Sequence, residues 1–141
     1  MGVSITAKNS SFEFNCGCGG FYNLRKNIAL AFDKEFGEHY TKIIHVHDSE
    51  SSEEFNRKAN KILADPRFRK EDCDILDFLF ASDCEGSVGY KTCKKIYDLI
   101  RNIDFGNKIF TYAAYSDGKD YEHFKDFLLE CYSKKRKMIW N

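Results

Sequence analysis

The hydrophobic period changes along this chain, and the order of those changes limits what it can fold into. Residues 2–7 alternate, with Val3, Ile5 and Ala7 set against Ser4 and Thr6. Residues 11–15 alternate again, with Phe12 and Phe14 on one side. Period two marks a half-buried strand, and Asn9-Ser10 between the two runs is turn chemistry. The start of the chain therefore reads as a hairpin. Beyond the run Cys16-Gly17-Cys18-Gly19-Gly20 the period becomes helical: Phe21, Leu24, Ile28, Ala31, Phe32 and Phe36 predict a helix ending at Gly37. The same spacing predicts helices over about 89–103, with Cys93, Ile96, Tyr97, Ile100 and Ile103 inward, and over about 119–135, with Tyr121, Phe124, Phe127, Leu128, Cys131 and Tyr132 on a broad inward stripe.

Between these stand shorter signals. Residues 40–47 read as a short strand or an irregular segment. Ser51 with Glu54 forms a capping box for a helix running to about Ala64, which Asp65-Pro66 stops. Residues 74–81 are apolar and lead into the loop Ser82-Asp83-Cys84-Glu85-Gly86. Asp104-Phe105-Gly106-Asn107 and Asp117-Gly118 are turns, with 108–115 extended between them, and Met138-Ile139-Trp140 is placed as a strand returning beside the hairpin. Strands cluster at the two ends rather than alternating with helices. This predicts a single α+β domain over residues 1–141: a small antiparallel sheet, hairpin plus C-terminal strand, packed against four or five helices.

Composition agrees with a packed core. Of the 141 residues, 43% are hydrophobic and 16% aromatic, which argues against disorder. The 22 basic and 22 acidic residues balance, which speaks against general nucleic-acid binding, since such binding draws on a basic excess. No apolar run is long enough to span a bilayer. Cys16, Cys18, Cys73, Cys84, Cys93 and Cys131 are then expected as free thiols in a reducing cytoplasm.

Three features carry candidate chemistry. The first is the glycine run before the Phe21 helix. Helix-start amides favour anions, and glycine lets a ligand approach the backbone. Gly19, Gly20, Tyr22, Asn23, Arg25 and Lys26 are candidate ligand-binding residues, although neither a phosphate-loop nor a dinucleotide fingerprint is present. A plain strand-to-helix connection also explains the run. Cys16 and Cys18 would need two further ligands for zinc, from His45 and His47 or from Cys84 and Cys93, and neither spacing is a zinc signature. No metal or cofactor is expected.

The second feature spans Ala81–Thr92. It has the outline of a calcium loop but lacks the carboxylates at positions 1 and 12. Asp83 and Glu85 either cap the following helix or bind something else. The third is a set of aromatics that the core stripes do not absorb: Tyr90, Tyr112, Tyr115 and Trp140. Tyr115 and Trp140 are candidate walls for a base. The basic run Lys134–Lys137 reads first as a solvated helix end, and second as a contact for nucleic acid or an acidic partner. No nucleophile–base pair is specified, so binding is favoured over catalysis, with a small metal-dependent or cysteine hydrolase as the remaining enzymatic alternative.

The segment Phe80-Ala81-Ser82-Asp83-Cys84-Glu85-Gly86, followed by Thr92-Cys93-Lys94-Lys95-Ile96-Tyr97, resembles a pattern of small phage and prophage proteins. Met1-Gly2-Val3-Ser4, Gly19-Gly20-Phe21 with Asn23-Leu24-Arg25, and Met138-Ile139-Trp140 are similar to the same group. The pattern marks a family rather than a mechanism, and no catalytic residue is carried over. The resemblance implies an accessory protein of the host-cell cytoplasm acting against host defence. Such a protein would sequester a nucleotide-derived immune signal or block a host protein through an aromatic surface; self-association stays open.

Overall fold

The computed structural model describes residues 2–38, 40, 53, 57, 60, 61, 64, 73–82, 84–112 and 117–141. The segment expected beyond Tyr40 to 47, the Ser51–Glu54 capping box, most of the helix after it and the Asp65-Pro66 stop lie outside the described residues, as do His45, His47, Asp83 and Tyr115. In chain order the elements are β1 (Gly2–Thr6), β2 (Phe14–Gly17), α1 (Cys18–Phe32), α2 (Cys73–Phe80), β3 (Gly86–Val88), α3 (Tyr90–Ile100), α4 (Asp120–Ser133) and β4 (Met138–Trp140).

The strands form one antiparallel sheet in the order β2-β1-β4-β3. Val3 lies opposite Cys16, Ile5 opposite both Phe14 and Trp140, and Val88 opposite Met138. All seven are buried, while Ser4, Thr6, Asn15, Ser87 and Ile139 take the other face. Alternation has done what period two requires: one face carries the core and the helices, and the other meets solvent. The fold is α+β, with the hairpin and the returning strand where the periodicity places them. The fourth strand, β3, was not expected. Three residues, Gly86-Ser87-Val88, are too few to show a period.

Two helix boundaries differ from expectation. β2 runs straight into α1, so the helix begins at Cys18 and takes Gly19 and Gly20 into its first turn. It also stops at Asp33, where the backbone turns extended at φ −165° and ψ 128°. The Asp33 side chain accepts from Phe36 N at 2.8 Å and its carbonyl from Gly37 N at 2.8 Å, which starts a separate helical turn over 34–38. An Asp that offers its own side chain to the amide three residues on favours a break over a continuous helix.

Aromatic rings fill the space between layers. Phe14 sits among Phe12, Phe110, Phe124 and Phe127, with centroids 5.4–6.2 Å apart. Phe21, Phe78 and Trp140 form a second group, and Phe36, Tyr40 and Phe80 a third. Each fully buried Phe contributes about 1.5–3 kcal/mol relative to exposure. α3 packs along α4, closing the core on its far side.

Candidate functional site

The glycine run builds a helix start against a second wall. Gly17 is the N-cap of α1 and offers no side chain to the first-turn amides, which by helix geometry point out of its end. A segment from Ile109 to Tyr112 packs beside this helix start. A methyl group on Gly20 would sit 2.0 Å from the Phe110 carbonyl oxygen, and one on Gly17 would sit 2.6 Å from the Tyr112 hydroxyl. Close backbone approach is thus the reason for glycine at 20, where the approaching group is the chain's own Phe110; at 17 it is the outer end of the Tyr112 side chain, and Gly19 meets nothing within 4 Å.

Asp120, the first residue of α4, holds that wall. Its fully buried carboxylate accepts from Phe110 N at 3.1 Å, Thr111 N at 3.2 Å and Thr111 Oγ1 at 2.8 Å. Tyr112 N donates to Asn15 O at 2.8 Å, which stitches the same segment to the edge of β2. The two walls enclose an open cleft of about 450 Å³, lined by Gly17, Cys18, Gly19, Gly20, Asn23 and residues 109–112. Tyr112 is 70% exposed and Ile109 49% exposed, so its rim is apolar and aromatic. None of the described lining residues carries a formal charge.

Gly19, Gly20 and Asn23 are the expected ligand residues that reach this cleft. Tyr22 and Lys26, both half-buried, are not among its lining. Arg25 is 4% exposed and turned the other way: its guanidinium donates twice to Phe78 O, at 2.8 and 3.2 Å, and once to Ala81 O. It also lies over the Phe21 ring at 4.8 Å. Those carbonyls sit at the end of α2, where helical carbonyls have no intrahelical donor, so Arg25 is a cap for that helix. Trp140 is fully buried, and its indole N–H donates to Ser82 O at 2.9 Å. It cannot serve as an exposed stacking wall.

The Ser82–Gly86 loop is explained by the same tryptophan. A methyl group on Gly86 would fall 2.4 Å from the indole ring, so the motif supplies an acceptor at one end and clearance at the other. Glu85 is exposed and lies outside the cleft lining. It does not cap α3 either, whose N-cap is Gly89. The loop and the glycine run stand at opposite edges of the sheet, three strand spacings or about 14 Å apart. They do not form one site.

No protein family, curated protein or solved structure matches the chain.

The described cysteines form no cluster larger than the Cys93–Cys131 pair. Cys16 is buried in the sheet face, and burial, with the neighbouring Cys18 thiol, pushes its pKa up to about 12. It stays protonated at neutral pH. Cys18 and Cys84 are exposed at separate places, while Cys93 and Cys131 are buried together between α3 and α4. The hydrogen bond to Cys131, followed by burial, holds the Cys93 thiol well above its ordinary range. Among the described residues no three His, Cys, Asp or Glu side chains come together as metal ligands. No described helix is long and apolar enough to cross a membrane.

Sequence reasoning missed Thr111 and Asp120 and singled out Tyr112 only as an unabsorbed ring. The signal for Asp120 was present, as a carboxylate just after the Asp117-Gly118 turn and at a helix start. Nothing local tells that it reaches back across ten residues.

Proposed function

We propose that this chain is a non-enzymatic binding protein that holds a small anionic molecule, of nucleotide class, in the cleft at the start of α1. The observation carrying this reading is the cleft itself. Its volume falls within the roughly 300–1,000 Å³ of small-molecule sites, and its two walls offer complementary chemistry. The first-turn amides of α1 suit one acidic group. The Tyr112 ring and Ile109 suit a flat or apolar one, and Asn23 adds a donor and an acceptor between them. The described lining holds no histidine, carboxylate or amine to act as a base, which favours binding over turnover. With no lysine or arginine there, the ligand presents one accessible acidic group rather than a run of phosphates. The resemblance to phage accessory proteins would make such binding a sequestration, with a nucleotide-derived defence signal as cargo.

Calorimetry against cyclic, mono- and dinucleotides and ADP-ribose tests this. A saturable heat is expected for at least one of them. It should be lost in Tyr112→Ala, whose exposed ring can be removed without opening the core. Silence across the panel, with no thermal shift, overturns the reading.

A further inference from the structure

At the opposite end of α4 from Asp120, about 18 Å along the helix, the charge balance of the chain breaks down locally. The pairing of Val88 with Met138 sets the start of α3 beside the end of α4. Tyr90 and Tyr132 meet there with ring centroids 6.2 Å apart, and Lys94 Nζ lies 5.6 Å from the Tyr132 ring. Lys91 and Lys94 on α3 and Lys134, Lys135 and Lys137 at the end of α4 flank this contact in the chain, all but Lys94 exposed, while Arg136 beside them donates to Asn9 O. Asp98 and Glu130 are the carboxylates bonded into this group, through Lys94 and Lys134. A chain of zero net charge thus presents one strongly basic corner. Next to it on α4, Leu129 is 38% exposed and Tyr132 39% exposed, one turn apart.

We propose that this corner docks an acidic polypeptide segment carrying apolar side chains. Exposed Tyr132 among the cations, with exposed Leu129 one turn along on the same helix, has the elements of a protein interface: apolar anchors beside charge that steers and sets register. The alternative polyanion, a nucleic-acid strand, fits less well. Its continuous phosphates would meet Asp98 and Glu130 among the lysines, and Leu129 gives a base nothing to stack on. A peptide can space its carboxylates to avoid the two acids.

Fluorescence anisotropy with a labelled peptide of Glu-Glu-Leu repeats tests the proposal against a Gly-Ser-Leu peptide and labelled oligothymidylate. The acidic peptide binds, and binding weakens with salt. Lys91→Glu with Lys137→Glu weakens it by roughly tenfold or more, and Tyr132→Ala by several-fold. Both lysines are exposed, and Glu at position 91 suits a helix start, so the fold should survive. Absence of binding, equal affinity in the double variant, or tighter binding of oligothymidylate overturns it. So does a salt-sensitive dimer in sedimentation, which would assign the corner to a second copy.

Discussion

Gly20 is a position that cannot accept even a methyl group without moving backbone. Its hydrogen points at the Phe110 carbonyl, and 2.0 Å is far inside any contact distance. Gly20→Ala is expected to cost about 1–3 kcal/mol in overpacking, and to displace the 109–112 wall, so that ligand heat falls more than the midpoint of thermal unfolding would suggest. An unchanged midpoint in differential scanning calorimetry would refute the contact. Lys135 offers the reverse experiment. It follows α4 in the left-handed region at φ 54°, with Arg136 N bonded to Cys131 O and Lys135 N to Tyr132 O. This is the helix ending that normally calls for glycine. Lys135→Gly removes the Cβ penalty and is expected to gain about 0.5–1 kcal/mol, read as a higher denaturant midpoint at unchanged slope. At this scale the sequence marks positions well and partners poorly. The glycine run reads as close approach from composition alone, yet whether a ligand or Phe110 approaches depends on a contact ninety residues away.

Elements show the same division between local and remote information. β1, α3 and α4 lie where their periods predict, because amphipathic runs of five residues or more bury one side wherever they are placed. β3 and the break at Asp33 escape that logic: one is too short for a period, the other is a backbone choice made by a single side chain. The cleft is less legible still, since its second wall is neither helix nor strand. That wall depends on Asp120 and predicts an uneven response. All three donors go to the one oxygen Oδ2, which an Asn could still supply, so Asp120→Ala is the informative variant: it leaves Phe110 N, Thr111 N and Thr111 Oγ1 without that acceptor. A loss of about 1–3 kcal/mol follows from the unsatisfied groups. Amide exchange should locate it: protection falls at 110–112 while the amides of α4 beyond its first turn hold. Uniform loss along α4 would show that Asp120 supports the helix rather than the wall.

For the molecule as a whole, the two ends of the chain are tied by a carboxylate, and this gives its stability a direction in pH. Glu130 on α4 accepts from Ser10 Oγ at 2.7 Å and from Lys134 Nζ at 3.0 Å, while Arg136 donates to Asn9 O at 3.0 Å. The turn between β1 and β2 is thereby fastened to the end of the last helix. These contacts, the Ser10 hydroxyl foremost, hold the Glu130 carboxyl below its ordinary value of 4.5, and the Lys119 amide with His123 does the same for the exposed Asp117. A carboxyl whose pKa is lower folded than unfolded binds fewer protons in the native state. Its stabilisation is complete above the unfolded value and disappears as pH falls through the folded one. Stability should therefore be flat near neutrality and decline once pH drops below about 4.5. Glu130→Gln isolates one source of the decline. The amide oxygen still accepts from Ser10, but the charge facing Lys134 and Arg136 is gone. The variant is expected to be less stable than the parent near neutrality and to converge on it in acid, in urea unfolding followed by circular dichroism across that range. A gap that stays constant with pH would mean that Glu130 contributes through packing alone, and that the hairpin is held to α4 by its aromatic contacts, Phe12 and Phe14 on Phe127, rather than by charge.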